Sequence, residues 1–160
     1  MHRLPLSRRL STGLAALLIC AAAAGTAQAQ AQFAEAPPPK ALTAAPSAAA
    51  TDVLYRKDAA RHLYAAYPGK IHKGKLPPML VGVAIINTTI DATGQVTAVD
   101  VMRPPAMKEI APWVETMIRA AAPYPAPTKL GQSVTWREIF LVEAGGKFQV
   151  DALTEGQRNK

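Results

Sequence analysis

His62 and His72 are the only histidines after His2, and they stand ten residues apart in a stretch without cysteine. A zinc centre needs three or four His, Cys or carboxylate ligands converging on one point, and no acidic cluster accompanies this pair. Both therefore read as solvated surface side chains. Asp91 opens the segment Asp91-Ala92-Thr93-Gly94, where turn chemistry accounts for an aspartate, and Asp100 falls in a run of strand-forming residues. There is no Gly-x-Ser-x-Gly elbow and no glycine-rich phosphate loop ahead of a helix. The lysine-rich run Gly69 to Lys75 does not serve as one either, because no helix start follows it. These residue types point away from an enzyme, and no cofactor or metal is expected.

What remains is the chemistry of charge and of the main chain. Arg56, Lys57, Arg61, Lys70, Lys73 and Lys75 crowd into 20 residues against a single acid, Asp58. Such a patch suits an anionic cell-wall polymer or a membrane surface; a plain solvated face is the alternative. The formal net charge is +7, to which Arg3, Arg8 and Arg9 of the N-terminal head contribute.

Residues 1–29 carry that basic head, an apolar stretch of eleven residues from Leu14 to Ala24, and small-x-small endings at Ala27-Gln28-Ala29 and Ala29-Gln30-Ala31. This is the layout of a secretory signal peptide. The alternative is an uncleaved anchor, for which a spanning helix wants about 20 apolar residues. The sole cysteine, Cys20, follows the bulky Ile19, so acylation is not expected, and one cysteine allows no internal disulfide. Export makes nucleic acid an unexpected partner. Residues 30–52 are almost all Ala, Pro, Gln, Ser and Thr. So little bulky apolar surface predicts a disordered or partly extended tether, reaching at most about 70 Å as a polyproline helix.

From residue 53 to 153 the pattern is that of one small domain, with a disordered tail at 154–160. Val53, Leu54, Ala60, Leu63, Tyr64 and Tyr67 recur near helical spacing ahead of Pro68-Gly69, predicting a helix over 53–66. Residues 79–90 and 95–103 are rich in β-branched side chains and flank the Asp91–Gly94 turn, which predicts a hairpin. A parity break between Val96 and Val99 calls for a bulge. Ile110, Val114, Met117, Ile118 and Ala121 form one helical stripe, with Pro112 in the first turn and the helix running to Ala122. Residues 133–143 form the longest strand candidate: Trp136, Phe140 and Val142 face one way, Ile139 and Leu141 the other. Ala144 to Lys147 can turn it into a short last strand. The fold class is α+β, a small antiparallel sheet with two helices on one face.

The stretch Gly82 to Arg103, with its Ile90-Asp91-x-x-Gly94-x-Val96-x-x-Val99-x-Val101 pattern, precedes a helix that ends in Ala120-Ala-Ala-Pro-Tyr-Pro-Ala-Pro-Thr-Lys-Leu130 and then a final apolar strand. With Tyr67-Pro68 upstream, this resembles the C-terminal domain of the TonB family, energy transducers of Gram-negative bacteria. The similarity covers roughly residues 63 to 143. It implies a periplasmic module that grips an extended peptide of an outer-membrane transporter, or of another envelope protein, by adding it as a strand. Edge strands present the unpaired main-chain groups such a contact needs. Carried over, the platform is Val134, Thr135, Trp136, Arg137, Glu138, Ile139, Phe140, Leu141 and Val142, with Tyr67 and Pro68 near its mouth. Trp136 fits core and contact alike. Transducers of that family also hold an N-terminal membrane helix whose histidine engages proton-channel partners in the inner membrane, and a long charged tether. Here the apolar segment has no histidine and the tether is brief, so a binding module is expected rather than an energised machine.

Pro123, Pro125 and Pro127 alternate directly after the second helix. Each fixes its own φ and lacks a donor, so the run reads either as a strut with Tyr124 packed inward or simply as a helix stop.

Overall fold

The first helix starts where a side chain can stand in for missing main-chain partners. The Thr51 hydroxyl accepts from the Leu54 N–H at 3.3 Å, and helix α1 runs Asp52–Ala66. A computed structural model describes residues 31–131 and 133–159; the expected signal peptide and Cys20 lie outside the described residues. The buried face of α1 begins at Tyr55 and continues through Ala59, Ala60, Leu63 and Ala66. Val53 and Leu54, assigned by spacing to that face, are instead 72% and 52% exposed; in the first turn Tyr55 alone turns into the core.

Strands β1 (Gly82–Asp91) and β2 (Val96–Arg103) form the expected hairpin. Asp91 Oδ1 accepts from the Thr93 and Gln95 N–H groups at 2.8 and 2.9 Å. The Thr93 hydroxyl bond first, then the Gln95 N–H, hold the Asp91 carboxyl below its usual range. The expected bulge is present: Thr89 pairs with Ala98 and Ile90 with Val96, which leaves Thr97 as the extra residue. A second register shift lies between Ile85 and Ile86.

Helix α2 spans Ile110–Ala120, with Pro112 in its first turn and Ile110, Val114, Met117 and Ile118 buried. The proline run after it is bolted to the hairpin. The Tyr124 N–H donates to Gly94 O at 2.8 Å, its hydroxyl donates to Ile118 O at 3.2 Å, and the Tyr55 hydroxyl donates to Pro125 O at 2.8 Å. Gly94 has φ of 87°, and a Cβ there would collide with the Tyr124 carbonyl oxygen. The run therefore acts as a strut and not merely as a stop.

Strand β3 (Ser133–Val142) and the short β4 (Phe148–Val150) complete a sheet of order β2-β1-β3-β4. Every pairing is antiparallel. Both helices pack on one face over Trp113, Trp136, Tyr124, Phe140 and Phe148, so the protein is α+β.

Two expectations about chain ends are overturned. Residues 31–52, read as a tether, lie against the domain: Phe33 is 3% exposed and meets the Trp113 ring edge-on at 5.2 Å. One aromatic anchor, the buried Ala49 and the hydrogen bonds of Ser47 hold it where composition counts too little bulk. The tail is held as well. The Leu76 N–H donates to Gly156 O at 2.8 Å and the Arg158 N–H to Leu76 O at 2.9 Å. The buried Gln149 amide donates to His72 O and Gly74 O and accepts from the Thr154 hydroxyl and the Glu155 N–H.

Candidate functional site: the open margin of β3

Along its whole length β3 pairs with β1, from Asp91↔Ser133 to Gly82↔Val142. On its other side β4 pairs only with Phe140, Leu141 and Val142 before the chain turns away in a 3-10 turn, Asp151–Leu153. The Ile139 N–H donates to its neighbour's carboxylate, Glu138 Oε1, at 3.0 Å, so it points away from β1. Main-chain groups of an antiparallel strand alternate sides; those of Ser133, Thr135 and Arg137 thus face the same open side. Among the described residues no other element bonds to their main chain there.

A cleft of about 280 Å³ occupies the place a further strand would take, lined by Asp52, Val53 and Arg56 of α1, Thr135, Arg137 and Ile139 of β3, and Asp151. Apolar atoms dominate its walls. Val53, 72% exposed, is the more exposed of the two aliphatics at this end of α1. The charged rim is pinned. Glu138, 1% exposed, accepts from Arg56 at 2.6 and 3.2 Å, from Trp136 Nε1 at 3.3 Å and from the Ala152 N–H at 3.3 Å. Arg56 also reaches Asp151 at 2.8 Å. The Glu138 hydrogen bond, before the Asp151 one, raises the Arg56 pKa. Arg137 donates to Asn87 Oδ1 at 2.9 Å. The Glu138 carboxylate stands where β4 would otherwise continue, and so ends the β3–β4 ladder while leaving the rest of the margin open.

The sequence-expected platform divides by parity. Val134, Trp136, Glu138, Phe140 and Val142 face the core and are buried, because α1 and α2 cover that face; Trp136, at 1% exposed, is a core residue and no contact. Thr135, Arg137, Ile139 and Leu141 lie on the other face. Tyr67 is corrected too: it is 3% exposed and its hydroxyl donates to Met117 O at 3.0 Å. With Pro68 it stands at the far end of α1, about 22 Å along the helix axis from Asp52, so neither belongs to the β3 margin. The wall residues Asp52, Val53, Arg56 and Asp151 escaped sequence reasoning. The only trace was Val53, an apolar residue in the first turn of a helix whose buried face starts later.

Expected surface residues also moved. His62 is 8% exposed with Nε2 2.8 Å from Ala121 O, because it lies on the face of α1 that meets α2. His72 is half-buried, its Nδ1 4.0 Å from Glu143. The basic stretch is dispersed: Arg56 turns inward to Glu138, Arg61 pairs with Asp58 at 3.1 Å, and Lys70 lies over the Trp113 ring at 5.8 Å.

Among the described residues no helix is long and apolar enough to cross a membrane, and no group of three or more His, Cys, Asp or Glu could hold a metal. No protein-family model, curated protein or solved structure matches this chain.

Proposed function

We propose that this is an exported, non-enzymatic binding module that recognises an extended peptide by strand addition at the open margin of β3. The carrying observation is that margin: unpaired main-chain groups at Ser133, Thr135 and Arg137 beside an apolar cleft of about 280 Å³. These three residues span about 14 Å of strand, enough for roughly five guest residues. Main-chain bonds supply affinity in this mode, and the cleft reads one alternate side chain. Val53 and Ile139 favour an aliphatic one there. The likeness of Gly82–Arg103 and Ala120–Leu130 to TonB C-terminal domains supports a guest from an outer-membrane transporter, met in the periplasm.

The test is amide hydrogen exchange on the full chain with synthetic peptides from the periplasm-facing segments of outer-membrane transporters. Binding should slow exchange at Thr135 and Arg137. Thr135→Pro removes one outward N–H without touching the β1 ladder and should weaken binding at least about tenfold with the fold kept. A peptide that binds while leaving both amides unprotected would refute the reading.

A further inference from the structure

The segment before α1 is an occupant, and what it occupies is a groove. From Phe33 the chain crosses α2 at Trp113 and passes Tyr67, Pro68 and Gly69 as Pro37-Pro38-Pro39, where a cleft of about 420 Å³ separates the two. It then runs back along α1, past Ala65, His62 and Asp58, to rejoin the helix at Thr51. Between Phe33 and Ala49 only two N–H groups bond to the rest of the described fold: Lys40 to Ala66 O at 2.8 Å and Ser47 to Ala126 O at 2.9 Å. The far end is tied by Ser47, whose hydroxyl donates to Asp58 at 2.7 Å and whose carbonyl accepts from the Thr128 hydroxyl at 3.1 Å. Sparse main-chain bonding and a buried aromatic anchor are how an extended segment seats in a groove, and the prolines, which favour an extended backbone, stand across the cleft from a single aromatic, Tyr67.

The resident segment leaves one group unserved. Trp113, 2% exposed and in contact with Phe33, has an indole N–H with no acceptor among the described residues. A buried donor without a partner is rare, and a guest carrying a carbonyl to that point gains what the strap does not provide.

We propose that the surface over α1 and α2 is a second peptide-binding groove, separate from the β3 margin, for proline-rich extended segments of other chains with an aromatic anchor; residues 33–49 are its resident, displaceable ligand. Being tethered, the resident competes at an effective concentration on the order of millimolar, so outside peptides bind in proportion to how weakly it is held.

The experiment uses the full chain and a fluorescein-labelled synthetic peptide of residues 31–51, followed by fluorescence anisotropy, with circular dichroism to verify each variant's fold. Phe33→Ala loosens the resident at Trp113 and should bind the peptide about tenfold tighter than the wild type. Ser47→Ala loosens the opposite end and should shift affinity the same way, which decides the matter if Phe33→Ala does not fold. The peptide with Pro37, Pro38 and Pro39 replaced by alanine should lose about tenfold. Equal affinity of wild type and folded variants, no binding to any of them, or undiminished binding of the alanine peptide overturns the proposal.

Discussion

Glu138 shows how one side chain can close a sheet and open a site at once. An acid at an inward position of an apolar strand is costly unless each of its oxygens is paired. Here the donors are Arg56, Trp136 Nε1 and the N–H groups of Ile139 and Ala152. Glu138→Ala should therefore lower stability by about 3 kcal/mol, because Arg56 and two main-chain donors lose their acceptor together. Glu138→Gln keeps an acceptor oxygen and should lose clearly less. Urea denaturation of the three proteins checks the order; an alanine variant as stable as wild type would mean that the network contributes nothing net.

Among the elements, the proline run and the hairpin turn work as one joint. Tyr124 bonds Gly94 O only because the glycine at φ 87° leaves room for the Tyr124 carbonyl. Alanine at 94 meets both a left-handed backbone and a collision, and the cost should be at least about 2 kcal/mol. Gly131, also at positive φ at 97° but with open space around its missing Cβ, isolates the backbone term: Gly131→Ala should cost distinctly less. Thermal melts of both variants make the comparison. Similar losses would show that the joint with Tyr124 adds nothing beyond backbone strain.

Across the whole molecule, three tyrosines tie the helices together and to the strut: Tyr55 bonds Pro125 O, Tyr124 bonds Ile118 O and Tyr67 bonds Met117 O. Burial raises the Tyr55 and Tyr124 hydroxyls well above their usual value and pushes Tyr67 up to about 12. Nearby Asp58 adds to the effect at Tyr55, and Tyr67 and Tyr55 add to it at Tyr124. The native state thus keeps protons that the unfolded chain releases near pH 10. Stability is full below that point and is lost as pH climbs from about 10 through the folded values. Tyrosinate absorbance should rise in step with the loss of circular dichroism, because these hydroxyls ionise only as the core opens. Three tyrosines titrating ahead of unfolding would contradict so closed an interior.

Local pattern was legible wherever local physics decides. The Asp91–Gly94 turn, the Thr97 bulge, the α2 stripe and the inward parity of Trp136, Phe140 and Val142 could all be read from neighbouring residues, since side-chain period and turn chemistry act within a few positions. Which side of β3 stays open could not be read. It depends on β4 stopping at Val150 and on Glu138, 12 residues earlier, taking the place of the next strand. Nor could the seat of residues 31–52, whose composition argues for a free tether while one ring, Phe33, finds Trp113. By itself the sequence determined the elements and their faces. Tertiary structure decided which main-chain groups remain unpaired and which surfaces are already filled, because strand order and side-chain docking join residues far apart in the chain, and no periodicity encodes such distances.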